Sequence, residues 1–166
     1  MTKSTVVVGI DPGLHGAVAV IFPNGQVQLT DIPTYERKSA GGTMRNHFDI
    51  PKMVEMIRNL PVDNEIFIER AKVAVGSKGS IAVFSTALGY GLWLGIFEAL
   101  RNRCHEIEPG VWKRKMVGVD VEKSESLRVA RSFFFGGHPQ LTLAKHHNRA
   151  EAYLIALYGK EMNGCP

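Results

Sequence analysis

The stretch TVVVGIDPGLHGAVAVIF, residues 5–22, decides how the rest of the chain is read. Val6, Val7, Val8 and Ile10 make a β-branched run of the kind that fills a strand buried on both faces. The run stops at Asp11. Pro12, Gly13 and Gly16 then bring turn chemistry, and residues 17–22 form a second apolar run, so the segment reads as a β-hairpin. Asp11 therefore stands where a central strand ends and the backbone turns. A carboxylate at the tip of a buried strand, with no cation beside it in sequence, is costly unless a metal ion or a cationic partner neutralises it. The alternative is an Asx cap, with Asp11 accepting backbone N–H bonds from the turn.

With 166 residues, 45% hydrophobic and 22% charged, the chain is expected to form one globular domain, residues 1–166, with a sizeable core. Its 20 Lys and Arg against 16 Asp and Glu leave a net charge of +4, a modest excess that favours a polyanionic partner. Cys104 and Cys165 supply neither a disulfide framework nor a metal-ligand spacing, which fits a reducing compartment. No apolar run is expected to approach the ~20 residues that span a bilayer. The opening MTKSTVVVGIDPG runs into a strand rather than a cleavage site. The expectation is a cytosolic or nucleoid-associated protein with no membrane partner.

Beyond the hairpin, Pro23-Asn24-Gly25 is a turn, and residues 26–32 alternate as a third strand antiparallel to the second. The polar stretch PTYERKSAGGTMRN, residues 33–46, has no periodicity and reads as a surface loop, with Arg37, Lys38 and Arg45 available to a phosphate backbone. Asp49 or Ile50-Pro51 opens a helix whose stripe is Ile50, Met53, Val54, Ile57 and Leu60. The next strand, residues 65–69, again ends in acid. If it lies parallel to the first strand, with the helix as a right-handed crossover, Asp11 and Glu69 meet at one edge of the sheet. Two carboxylates that close repel, and a divalent cation relieves the repulsion, so the pair is a candidate Mg²⁺ or Mn²⁺ site built from hard oxygen ligands. The alternative is an ordinary ion pair of Glu69 with Arg70 or Lys72.

AKVAVGSKG, residues 71–79, suits a flexible basic loop over that edge, with Lys72 and Lys78. A long helix is expected over 80–102, apolar on too many sides for a lone surface helix. Its Gly89, Gly91 and Gly95 suggest that something presses closely on it, within the domain or from a second subunit. A last strand, 104–107, leads to the turn PGVWKRK, where Lys113, Arg114 and Lys115 stand beside Trp112. That combination suits nucleic-acid phosphates, with Trp112 itself read as a core anchor. Lys123 and Arg128 carry the basic character into a helix over 122–135. The final helix, from about His147 to Tyr158, places Glu151 among small and apolar residues, where packing alone gives no reason for a carboxylate. His147 precedes it by four residues and Asn148 by three, so both share its face.

Five motifs in this order, GIDPG with its Gly-Ala hairpin, IER at a strand end, GYGLWLG in a helix, PGVWK and the closing HHNRAEAYLIALYG, resemble the RuvC-type Holliday junction resolvases. The pattern looks nearest to the monokaryotic chloroplast resolvase branch and its phage and bacterial relatives, and it covers nearly the whole chain. The resemblance implies a ribonuclease H-like fold, an α/β domain with a mixed five-stranded sheet flanked by helices. It implies a homodimer cutting four-way, branched DNA by Mg²⁺-dependent hydrolysis, with two Mg²⁺ (or Mn²⁺) ions per active site. Asp11, Glu69 and Glu151 match the family's carboxylates. The fourth position falls in the window 146–148, where His147 is favoured over His146. Where the familiar resolvase has an aromatic shortly after its second acid, this chain has Val73.

Three other readings are open. An actin-like kinase begins with a similar strand, Asp and Gly hairpin, but needs a second lobe for which 166 residues leave no room. A non-catalytic nucleic-acid-binding module of the same fold would lose the acids that this chain keeps. Another ribonuclease H-like nuclease, acting on flaps or RNA–DNA hybrids, would keep all of them.

Overall fold

The structure is a computed structural model describing residues 5–72, 80–119 and 122–162. Its elements, in chain order, are β1 (Val6–Asp11), β2 (Ala17–Ile21), β3 (Val27–Asp31), β4 (Thr34–Lys38), β5 (Met44–Phe48), α1 (Ile50–Arg58), β6 (Asn64–Glu69), α2 (Ser80–Leu100), β7 (Cys104–Ile107), α3 (Pro109–Met116), α4 (Lys123–Ser132) and α5 (His147–Met162). Two single 3-10 turns, Pro139–Leu141 and Ala144–His146, lead into α5.

The valine run does make a central strand. The main sheet has the order β3-β2-β1-β6-β7, with β1 antiparallel to β2 and parallel to β6. Because β1 alternates, Val6, Val8 and Ile10 face one layer, where Met53 and Ile57 of α1 and Trp93 and Phe97 of α2 complete a core. Val7 faces the other layer, with Phe67, Ile107 and the apolar side of α5. A strand covered on both faces has no use for polar side chains until it reaches open space, and β1 carries none before Asp11. Asp49 starts α1 by accepting the Lys52 N–H at 3.2 Å, and the helix carries the chain across so that β6 pairs in parallel, Ile10 opposite Ile68.

Gly9 explains why α5 can lie so close to β1. A Cβ at Gly9 would stand 2.2 Å from the Ala152 carbonyl oxygen and 2.4 Å from the Ala156 nitrogen, so only glycine admits the α5 backbone there. The edge strand β3 is closed by side chains: Gln140 gives its amide N–H to the Leu29 carbonyl (2.6 Å) and accepts the Leu29 N–H (3.1 Å). Arg149 of α5 grips Asp31 with two bonds of 2.6 Å, tying the last helix to that edge.

Five expectations are corrected. Residues 33–46 are not an irregular loop: β4 and β5 form a separate two-stranded sheet, Tyr35 opposite His47 and Arg37 opposite Arg45. The hairpin escapes a pattern reading because it is solvated on most of both faces and only Phe48 enters the core. PGVWK is not a bare turn but the start of α3, with Pro109 at its first turn, where a missing N–H does no harm. The helix expected over 122–135 stops at Ser132, and the last helix, expected to end at Tyr158 with Gly159 as its stop, runs on through Gly159 to Met162. Finally, α2 is long and apolar enough by length and composition, over Val83–Leu100, to cross a membrane, because glycine, serine and threonine interrupt the run without lowering its mean much. Its inner face, Trp93, Ile96 and Phe97, is core.

The glycines of α2 divide. A Cβ at Gly89 would meet the Pro12 carbonyl oxygen at 2.2 Å and the Phe48 ring at 2.6 Å, so part of the close pressure comes from within the fold. Gly91 and Gly95 face open space.

Candidate active site

Register places the first two acids. Ile10 and Ile68 are paired on parallel strands, so the residues that follow them, Asp11 and Glu69, are neighbours at the same sheet edge. The third acid arrives from α5, which the Gly9 contact holds against β1 with Glu151 one residue before Ala152. All three line a single open cavity of about 780 Å³, together with Lys72, Lys113 and His147.

The carboxylates act on one another. Burial first, then Glu151 and Glu69, push the Asp11 carboxyl up to about 7, while the Gly13 N–H and Lys113 pull the other way. Asp11 does cap its turn, accepting the Gly13 N–H at 3.4 Å, and it remains within the field of the other two acids, so the two readings of Asp11 coexist. Glu69 accepts the indole N–H of Trp112 at 2.7 Å, and Trp112 is fully buried. The core anchor thus also aims the second acid. Arg70 takes Glu108 (2.9 Å) and Glu106 (3.4 Å) as its partners. Tyr90 donates to Glu106 as well.

Glu151 has two partners that sequence reasoning missed. The Ser126 hydroxyl donates to one of its oxygens at 3.3 Å, and the Lys113 ammonium lies 3.2 Å from the same oxygen. Burial works against the Lys113 charge, but Glu151, then Glu69 and Asp11, outweigh it and hold the ammonium above the ordinary lysine range. Nothing in the sequence separated Lys113 from its neighbours Arg114 and Lys115. The signal lies in the helical turn of α3, which buries Trp112 under Glu69 and sends the next residue into the cavity.

The two histidines part company. His147 lines the cavity, four residues before Glu151 on the same helix. His146 is buried in the preceding turn, where its Nδ1 accepts the Leu143 N–H at 3.2 Å. Burial, then Arg149 and Lys145, keep His146 below the usual histidine range. Asn148 also lines the cavity and donates to the His15 carbonyl, fastening α5 to the first hairpin.

The basic residues are placed unevenly. Lys72 is exposed at the cavity wall. Lys113, read with its neighbours as a phosphate contact, lines the cavity beside Glu151. Lys115 pairs with Glu161 at 2.8 Å and lies over the Tyr158 ring. Lys123 begins α4. Val73, Lys78 and Cys165 lie outside the described residues.

Three carboxylates are hard oxygen donors suited to Mg²⁺ or Mn²⁺, with the His147 imidazole a borderline nitrogen donor beside them, and a divalent ion would offset both the burial and the repulsion from Glu151 and Glu69 that lift Asp11. Among the described residues the acids are not gathered into a ready coordination cluster. In this structure the Lys113 ammonium supplies positive charge in their midst.

This architecture defines the class: the mixed five-stranded sheet flanked by helices is the ribonuclease H-like fold. Among solved structures the chain is similar to Thermus thermophilus RuvC in complex with a Holliday junction substrate, with a TM-score of 0.56 at 13% identity, covering 96% of this chain and 97% of that one. A second Thermus thermophilus RuvC structure matches with a TM-score of 0.55 at 16% identity, over 96% and 97% of the two chains. At such identities the likeness establishes a RuvC-like fold and singles out no branch, chloroplast or other. No family model matches the chain. No curated protein matches it.

Proposed function

We propose that this protein is a structure-selective DNA endonuclease, a Holliday junction resolvase that cuts four-way junctions as a homodimer with two Mg²⁺ ions per active site, Mn²⁺ being able to substitute. The observation that carries the reading is the convergence of Asp11, Glu69 and Glu151, from β1, β6 and α5, on one open cavity. A structural neighbour that is itself a resolvase bound to a junction supports the substrate class.

In this reading Asp11, Glu151 and His147 hold one ion, and Asp11 and Glu69 hold the other. Such ions, when bound, polarise the scissile phosphate, activate the attacking water and stabilise the leaving 3′ oxygen. The chain's own residues do the positioning. Trp112 fixes the rotamer of Glu69, and Ser126 fixes that of Glu151. Lys113, already carrying a firmly held proton beside Glu151, neutralises a non-bridging phosphate oxygen. His147 serves as ligand or proton carrier. Lys72, Lys78, Lys115 and Lys123 contact the arms of the branched DNA.

The homodimer is supported by the outer stripe of α2. Ala87, Gly91, Gly95 and Ala99 recur every four residues, all exposed. Small residues in that spacing let two helix backbones approach closely, and opposed cuts in a junction require two sites. The test is digestion of end-labelled four-way junction, flap, RNA–DNA hybrid and plain duplex with Mg²⁺. Paired symmetric nicks with 5′ phosphates in the junction alone are expected. Preferential cutting of the flap or the hybrid would replace this reading with the other nuclease.

A further inference from the structure

The hairpin β4–β5 carries an arrangement that packing does not explain. Arg37 and Arg45 stand directly opposite each other, and like charges in that position repel. Among the described residues neither they nor Lys38 has a carboxylate partner, and Glu36 is the hairpin's only acid. Two register steps away, and so on the same face, Tyr35 and His47 stack with ring centroids 5.7 Å apart. Tyr35 is 46% exposed. Two apposed cations beside two uncovered rings are complementary to an anion that carries a flat face.

The space for that ligand is present. Between the hairpin and α2 runs a groove of about 590 Å³ lined by Tyr35, Arg45, His47, Ile50, Phe84 and Leu88. Phe84 is 67% exposed. Leu14, His15 and Ser85 line both this groove and the cavity of the three acids, so the two are continuous.

We propose that this groove is a subsite for unpaired DNA nucleotides, with bases on Tyr35, His47 and Phe84 and flanking phosphates on Arg37 and Arg45. The inference rests on the nuclease reading for its substrate and adds where a strand leaving the acid cavity goes. A base inside a duplex already has both faces stacked and offers nothing to these rings, whereas an unpaired base does. A second copy of the chain is the poorer occupant, since it would bring the same excess of cations to a face that already has too many.

The test is fluorescence anisotropy on the full chain in EDTA, with a labelled single-stranded oligothymidylate and a blunt duplex over a series of salt concentrations. Arg37→Ala/Arg45→Ala should lower the single-strand salt slope by about 1.4, at ~0.7 per phosphate contact, and Arg37→Lys/Arg45→Lys should restore it. Tyr35→Ala should weaken single-strand binding by roughly 5- to 150-fold with the slope unchanged. Duplex binding should move little in either variant. Removing the arginines relieves a repulsion, so melting temperature should hold. Parent-like single-strand affinity and slope in the double alanine variant, or equal losses on duplex and single strand, would overturn the subsite. So would a double variant that sediments as a monomer while the parent is a dimer, which would give the groove to a second copy. If the groove variants bind as the parent does while Glu151→Gln is dead, the subsite fails and the nuclease stands. If Glu151→Gln cuts normally while they lose single-strand binding, the reverse holds.

Discussion

Replacing Asp11 by Asn should stabilise the metal-free protein, by an amount set by pH. Burial chiefly, then Glu151 and Glu69, push the Asp11 carboxyl from 3.8 to about 7. Between those values the folded chain keeps a proton that the unfolded chain has released, so the Asp11 contribution makes stability fall as pH rises through the window and level off above about 7. About three pKa units at ~1.4 kcal/mol each amount to roughly 4 kcal/mol. At ~2–4 °C per kcal/mol for a chain of this size, Asp11→Asn should melt roughly 8–16 °C above the parent at pH 8, and the two should converge towards pH 4. The assay is thermal unfolding by circular dichroism in EDTA at pH steps from 4 to 8. Mg²⁺ added at pH 8 should raise the parent's melting temperature more than the variant's. A variant that melts with the parent at every pH, or below it at pH 8, would refute the claim that the fold holds a frustrated carboxylate there.

Gly9→Ala should destabilise the fold by about 3 kcal/mol in urea unfolding, because its Cβ meets α5 backbone rather than a side chain that can turn aside. Trp112→Phe keeps a ring in the core but removes the N–H on Glu69, so single-turnover cleavage should slow at least about tenfold while junction affinity holds, since a hydrogen bond to a charged group contributes ~1.5–3 kcal/mol. Gly91→Leu and Gly95→Leu enter open space within the chain, so the far-UV circular dichroism of the folded protein should be kept while sedimentation shows the mass drop from dimer to monomer.

The parts legible in the sequence were those where one physical signal dominated. The β-branched run broken at Asp11 gave the central strand, and parallel pairing with β6 followed from a helix of crossover length between two apolar strands. Glu151 stood out because a carboxylate has no packing role among alanines. The β4–β5 hairpin was illegible because TYERK and MRNHF are solvated on nearly all sides, leaving no alternation to read, and the Gly41-Gly42 turn alone does not declare strands. Lys113 and Ser126 were illegible for another reason. Each is an ordinary residue on an ordinary helix, brought to Glu151 only by where α3 and α4 pack against α5.

The most direct measurement of the central claim, that Asp11, Glu69 and Glu151 form one catalytic site, is single-turnover cleavage of a labelled four-way junction in Mg²⁺ with binding followed in parallel. Asp11→Asn, Glu69→Gln and Glu151→Gln should each drop to background cleavage while binding the junction as tightly as the parent, because affinity rests on cations and not on these acids. Near-parental cleavage by any of the three would remove that residue from the site and contradict the account.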